Sequence, residues 1–482
     1  MSATETVTVA AFAPLSMTSH PLQRAGAWAV AVLAGRSVPR EVTAGDLDTV
    51  AERLVRDAST AAVADKDASV YDWWKVLYAL YPNAAATHSK RSKDRAVLAG
   101  AIAELFVPDR GTDAQRYPCT FCGTPSSVVW TKMNLPMFDT NKALNTLPPG
   151  VPGWPVCRGC RVAAWALPYG AWVTAGSATV FSCAVEDAER RFAERNVLRA
   201  RRLMQLGFSK LPAGARPELV VVHALRHARV ELSATTLWSF KNDNQEPWLR
   251  VSRTRRAVPR FLALVEGNAP LRRGWRRLEL GLTRRDEKGA LVACGPDEAA
   301  RLLFEPEDGR SRSLLRELHR MLLNPRRPMS PQHRNDMSRL AFTYAEEVLD
   351  MEPDLKPVAT MVADWIEHGD GSPRGRWAEF ETAHLHAYKL GLVLTLAKRR
   401  LFFAGRHVAA GPDDWRPFIQ RRPRSWEHRM LLGIAVVSML QERGVSVHGA
   451  SADPEEEEHT EHLLSQAPFG TDQDDYDGMD AA

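Results

Sequence analysis

Two cysteine pairs stand at a spacing that could do chemistry: Cys119 and Cys122 in YPCTFCG, and Cys157 and Cys160 in VCRGCR. A CxxC places two thiolates on one side of a tight turn, and two such turns can complete the tetrahedral set that Zn2+ prefers. About 34 residues separate Cys122 from Cys157, more than the roughly 15 to 20 of a compact zinc ribbon. Four cysteine ligands leave no open position for water, so the expected cofactor is a structural Zn2+. Four reduced thiols are the alternative. A redox role is disfavoured, because no thioredoxin-like βαβ pattern surrounds either pair.

Enzymatic readings can be tested against the residues. YPCTFC holds the P-C-x-x-C half of the zinc deaminase signature, which also needs an upstream H-x-E or C-x-E. The only histidines before Cys119 are His20 and His88, followed by PL and SK, so that reading fails; the HTE at His459–Glu461 lies in an acidic run and is a chance match. The chain has no GxxxxGK[ST], HExxH, G-x-S-x-G or strand-following GxGxxG. Cys183 and Cys294 read as buried thiols. His384 and His386, in HLH on an expected helix, would face different sides of it and read as ordinary histidines. Only the acidic Glu305-Pro-Glu307-Asp308 offers a foothold for unrecognised catalysis, and the chain is expected not to be an enzyme.

A second set of residues could meet nucleic acid. LWSFKNDNQEPWLRVSRTRR combines Lys241, Asn242, Asn244, Gln245, Arg250, Arg253, Arg255 and Arg256 with Trp238, Phe240 and Trp248. Amides can read base edges, arginine can pair bidentately with guanine, and the rings can stack. The competing reading is a hairpin whose asparagines serve the turn and whose tryptophans fill the core. RRGWRR adds Arg272, Arg273, Arg276 and Arg277, and Thr283–Arg285 extends the run. Between Arg190 and Leu340 about 32 Lys and Arg face about 16 Asp and Glu, an excess a merely soluble surface does not require. Residues 453–482 reverse this, with about 11 acidic residues and no Lys or Arg.

The elements that must position these residues follow from patterning. A chain of 482 residues implies about two to four domains at roughly 100 to 200 residues each. Apolar content of 45% and charge of 25% suit a folded protein. The first basic residue is Arg24, so no secretory n-region is expected, and the apolar runs Leu390–Ala397 and Met430–Leu440 are too short to span a bilayer. A cytoplasmic protein with no membrane partner is expected.

The expected fold class is α+β and multi-domain. It comprises an N-terminal segment (1–45) without strong periodicity, a helical region (46–116) and a zinc-knuckle region (117–185) whose cysteine segment is opened by Pro118 and closed by Pro168. A basic β-containing region (186–312), a C-terminal helical bundle (313–450) and a disordered acidic tail (451–482) follow. Helices are expected over Asp46–Val55, Tyr71–Leu80, Asp94–Phe106 and Glu186–Leu206, and within 313–445. The strongest strand signal is ELVVVHALRHARVELSATTLWSF, with WLRV returning after the polar turn KNDNQEP. The Pro-, Asn- and Gly-rich insert between the cysteine pairs reads as loop.

Together these segments resemble the CXXC-CXXC large subunit of the type I CRISPR interference complex (Cascade), nearest the subtype I-B form. The resemblance is carried by CTFCG, by the long insert ending GVPGWPVCRGC, by AAWALPYG, and by SFKNDNQEPWLRV followed by VPRFLALV. It covers about residues 117 to 265 by motif and the flanks by general plan. Asp243-Asn244-Gln245 departs from the family's simple Gly-bearing turn. The resemblance implies a non-catalytic subunit that holds the crRNA 5' end with the backbone and 5'-handle subunits. It also implies recognition of the short motif beside the target (PAM) in double-stranded DNA, and docking of the helicase-nuclease. The C-terminal bundle would resemble the small subunit, with Met329 and Met337 as candidate internal starts. The alternative is a free-standing zinc-ribbon DNA-binding or transcription-associated protein.

Overall fold

Local signals account for most helix ends in a computed structural model that describes residues 13–109, 116–131, 133–136, 153–211, 215–227, 232–242, 247–306, 313–324, 329–420 and 424–447. Thr43 and Asp46 form a capping box at the start of the helix Ala44–Val63. Asp94 accepts from the Ala96 and Val97 amides to open Arg95–Ala103, which tightens into a 3-10 turn over Glu104–Phe106. Tyr71–Leu80 and the long Glu186–Leu206 helix lie where their apolar spacing placed them.

The chain divides into two compact units. One holds the residues up to Ala228 together with Thr235–Arg253, and the other holds Arg229–Ala234 and Thr254 onward. This division cuts across the expected 186–312 region. Among the described residues, helices dominate and the sheets are small and antiparallel, an α+β architecture.

The first unit is built around the helix Arg158–Gly170, buried along nearly its whole length. Against it packs Pro21–Leu33, a helix that the Ala-rich N-terminal segment hides from periodicity analysis because it is apolar on most sides. The two backbones approach closely: a Cβ on Gly26 would meet the Ala163 carbonyl oxygen at 1.9 Å. Pro168 lies inside the cysteine-bearing helix rather than ending a segment. It lacks the N–H that would bond the Ala164 carbonyl, and the Tyr81 hydroxyl donates to that carbonyl instead.

Four antiparallel strands complete this unit: Trp172–Val173, Ala178–Cys183, Thr235–Lys241 and Trp248–Thr254. The last two form the expected hairpin, with Lys241 opposite Trp248; residues 243–246 of its turn lie outside the described residues. The strand expected over ELVVVHALRH is corrected, since Pro217–His227 is a helix. Proline at its first position and burial of Val220, Val221, Val222 and Leu225 outweigh β-branched propensity.

In the second unit Val258–Gly267 and Ala269–Leu282 pack on Pro331–Glu347. The bundle continues through Leu314–Leu322, Lys356–His368, Pro373–Ala383, Ala387–Phe403 and Pro412–Ile419 to Ser425–Glu442. Met430–Leu432 and Ile434 of that last helix are buried at the bundle's centre. HLH is not helical: His384 caps one helix, His386 opens the next, and buried His384 lies Nε2 to Nε2 at 2.8 Å from His319. No helix among the described residues is long and apolar enough to cross a membrane.

Candidate metal centre and nucleic-acid residues

The first cysteine pair sits on a tight turn between two short strands, Tyr117–Pro118 and Pro125–Ser126. The Cys119 amide donates to the Thr124 carbonyl and the Gly123 amide to the Cys119 carbonyl, each at 2.9 Å. Gly123 takes φ of +77°, which a side chain at that corner would resist. Backbone hydrogen bonds and the Gly123 corner thus define the CTFCG turn.

The long spacing to the second pair is bridged by a short ladder. Val129 and Trp130 pair with Pro155 and Trp154, the Thr120 amide donates to the Pro155 carbonyl, and the Val156 amide donates to that of Val128. The insert thus closes at its base, and residues 137–152 lie outside the described residues. Cys157 then caps the helix Arg158–Gly170 and Cys160 occupies its first turn, where the N-terminal dipole favours thiolate.

The four Sγ atoms of Cys119, Cys122, Cys157 and Cys160 lie within 4.8 Å of one another, and Cys122 and Cys157 are 3.5 Å apart. A tetrahedron with metal–sulfur bonds of about 2.3 Å has edges of about 3.8 Å, so slight contraction suffices. Close packing of the four thiols shifts their acidities in opposite directions. Hydrogen bonding to Cys119, Cys157 and Cys160 holds the Cys122 thiol far below the ordinary range, while Cys119, Cys122 and Cys157 push Cys160 far above it. A bound cation would remove that conflict and let all four coordinate. With four protein sulfurs, the site is of the closed type.

Supporting groups that sequence reasoning missed surround the cluster. Gln23 reaches Cys160 Sγ with its amide at 3.6 Å, and the Thr124 hydroxyl lies 3.3 Å from Cys122 Sγ. Asp109 accepts from the Ser126 hydroxyl at 2.7 Å and from the Ser127 and Arg158 amides at 3.2 Å, tying both knuckles to one carboxylate. Fully buried Arg161 donates to the Leu105 and Val107 carbonyls at 2.8 Å and sits 3.5 Å from Asp109. The threonine two residues after Cys122 was the one local signal available; Gln23 is far away in sequence and gave none. His20 packs edge-on against Phe121 at 5.0 Å without joining the cluster. Cys183 and Cys294 are half-buried and separate, and burial followed by the Glu189 charge pushes Cys183 up to about 12.

The residues expected to meet nucleic acid fall in both units. In the first, Asn242 donates to the Leu80 carbonyl at 2.8 Å and so anchors the strand end. Lys241 is half-buried beside it. Arg250 and Arg253 are exposed, but opposite Ser239 and Thr236 they project from opposite faces of the strand. Asn244 and Gln245 lie outside the described residues. In the second unit Arg255 pairs with Glu305 at 2.7 Å and Arg256 is exposed. Arg272, Arg273, Arg276 and Arg277 are all half-buried along one helix. Arg273 is committed to buried Asp336 at 2.7 and 3.1 Å, and Arg272 donates to the Glu266 carbonyl. Of the acidic trio, Glu307 and Asp308 lie outside the described residues. No protein-family model, curated protein or solved structure matches the chain.

Proposed function

We propose that this chain is the non-catalytic large subunit of a crRNA-guided type I (I-B-like) interference complex. In this reading it binds the crRNA 5'-end region, recognises the PAM in double-stranded DNA, and helps recruit the helicase-nuclease. One observation carries the reading. A closed four-cysteine knuckle with a long insert runs directly into the AAWALPYG helix and is followed by a strand–turn–strand hairpin, the order of parts that the resembled family shares.

The charge distribution supports the same role. When base pairing with a guide reads the sequence, the protein needs phosphate-neutralising charge and a few base-edge contacts near the PAM. Exposed Arg250, Arg253 and Arg256 are the described candidates for that work. Arg273, held by Asp336, serves the packing of its own unit. The metal is assigned as Zn2+: elemental analysis of the full chain is expected to find close to one zinc per chain, falling sharply in Cys157→Ser. A folded, metal-free wild type would contradict the assignment.

The function is tested by assembling the chain with its guide RNA and selecting from duplexes with a randomised flank. Enrichment of one short motif is expected, with affinity falling about 10^3- to 10^5-fold between 50 and 200 mM salt, as roughly 6 to 10 phosphate contacts require. Binding indifferent to the flank would sink the proposal. Tight binding without any guide would favour the zinc-ribbon alternative.

A further inference from the structure

The helix Ala387–Phe403 turns Leu390, Val393, Leu394, Ala397 and Leu401 into the bundle. Its opposite face is unusually apolar for a surface: Tyr388, Leu392, Phe402 and Phe403 are 79%, 54%, 70% and 78% exposed. At 100° per residue these four, with Thr395 and Arg399, fall in a single stripe about 100° wide. Every charged residue of the helix is basic: Lys389, Lys398, Arg399 and Arg400, with Arg406 just beyond. Lys389, Arg399 and Arg406 are exposed and make no ion pair among the described residues. A partner for this face must be both anionic and aromatic or aliphatic.

Residues 453–482 of the same chain have that chemistry. They carry about 11 acidic side chains and no Lys or Arg, interspersed with Leu463, Leu464, Phe469, Tyr476 and Met479. The last described helix before them, Ser425–Glu442, is tied at its end to the same stretch as this face. Arg443, at the end of the helix that leads toward them, binds Asp364 at 2.7 Å and Glu367 at 3.1 Å. Arg400, next to the exposed phenylalanines, binds Asp370. The exit of the chain and the Phe402–Phe403 end of the stripe are therefore anchored on one short stretch, Asp364–Asp370. The stripe is about 25 Å long at 1.5 Å per residue. The 448–482 segment, extended, spans on the order of 100 Å, so reach does not limit docking.

We propose that the acidic segment 453–482 docks in cis on the exposed aromatic and basic face of Ala387–Phe403. Tethering supplies an effective concentration in the millimolar range, so modest contacts suffice to keep the face covered. The electrostatic part weakens as the Debye length shrinks from about 10 Å at 0.1 M salt toward 3 Å at 1 M.

Zero-length carbodiimide cross-linking of the full chain, read by mass spectrometry on a mixture of light and isotope-labelled protein, tests this directly. Links from Glu455–Glu458 or Asp472–Asp477 to Lys389 or Lys398 within one chain are expected at 50 mM salt. Their yield should fall at least fivefold at 0.5 M salt and in the Phe402→Ser, Phe403→Ser, Arg399→Ser variant. Links mainly between light and heavy chains, links mainly to Lys210, Lys241 or Lys288, or an unchanged yield in the variant would overturn it. Hydroxyl-radical footprinting gives a second readout that needs no change to the face. Ending the chain after Val447 should raise modification of Tyr388, Phe402 and Phe403 severalfold, and unchanged modification would equally overturn the proposal.

Discussion

A single hydroxyl lets the cysteine-bearing helix contain a proline. Tyr81 satisfies the Ala164 carbonyl that Pro168 leaves without a donor, in a site where both are buried. Tyr81→Phe should therefore cost about 1 to 3 kcal/mol by urea denaturation, the usual penalty for an orphaned buried carbonyl. Equal stability would mean that the helix relaxes at Pro168. Gln23 donates from its side-chain amide to Cys160 Sγ of the four-cysteine cluster. Gln23→Ala is expected to weaken zinc affinity about 10- to 100-fold in competition with a chelator, while the four ligands stay in place.

The histidine pair makes a separate residue-scale prediction. His384 Nδ1 meets the Glu381 carbonyl at 2.8 Å and must carry the proton there, so its Nε2 accepts from His319 Nε2. Burial pushes His319 down to about 3 and His384 to about 4, with Arg429 and His386 adding to the effect on His384. Folded values below the ordinary 6.5 mean that the pair's contribution is fully present above that pH and is lost as pH falls toward 4 and 3. The denaturation midpoint of the second unit should be flat above about pH 7 and drop steadily below about 6.5. A flat profile down to pH 4 would contradict the neutral pair.

At the scale of elements, the four-cysteine cluster depends on a helix crossing that lies outside it. Gly26 lets Pro21–Leu33 touch the backbone of Arg158–Gly170, and the same helix carries Gln23 to the cluster. Gly26→Leu should destabilise the first unit by about 3 kcal/mol or more, since overpacking here meets backbone rather than a side chain. Zinc content should fall in parallel, although no ligand changes; normal zinc with normal stability would contradict this coupling.

The sequence made part of this legible. Thr43 with Asp46, Asp94, and the apolar spacing of Tyr71–Leu80 and Glu186–Leu206 marked real helices. The cysteine spacing marked the cluster, although the ladder of Val129 and Trp130 with Trp154 and Pro155, which shortens the insert, left no pattern in two-residue strands. Pro21–Leu33 and Pro217–His227 were hidden for one shared reason: helices buried on most sides have no polar face to set a period. Asp109 and Gln23 act across long sequence distances and no local rule points to them.

At the scale of the whole molecule, two units share a basic middle region and end in an acidic one. Met329 and Met337 are not equivalent as internal starts. Met329 precedes Ser330, which caps Pro331–Glu347, whereas Met337 is buried inside that helix. A separately made bundle should begin at Met329, and an immunoblot of a C-terminally tagged gene with a second band abolished by Met329→Leu would show it. A full-length band alone would count against an internal start.

We propose that this protein works on a guide RNA. The most direct test is to purify the tagged full chain from its native cells and sequence the RNA that comes with it. The expected result is crRNA of uniform spacer length carrying a repeat-derived 5' handle, together with the backbone subunits. Protein free of RNA and partners, yet folded and zinc-loaded, would contradict it.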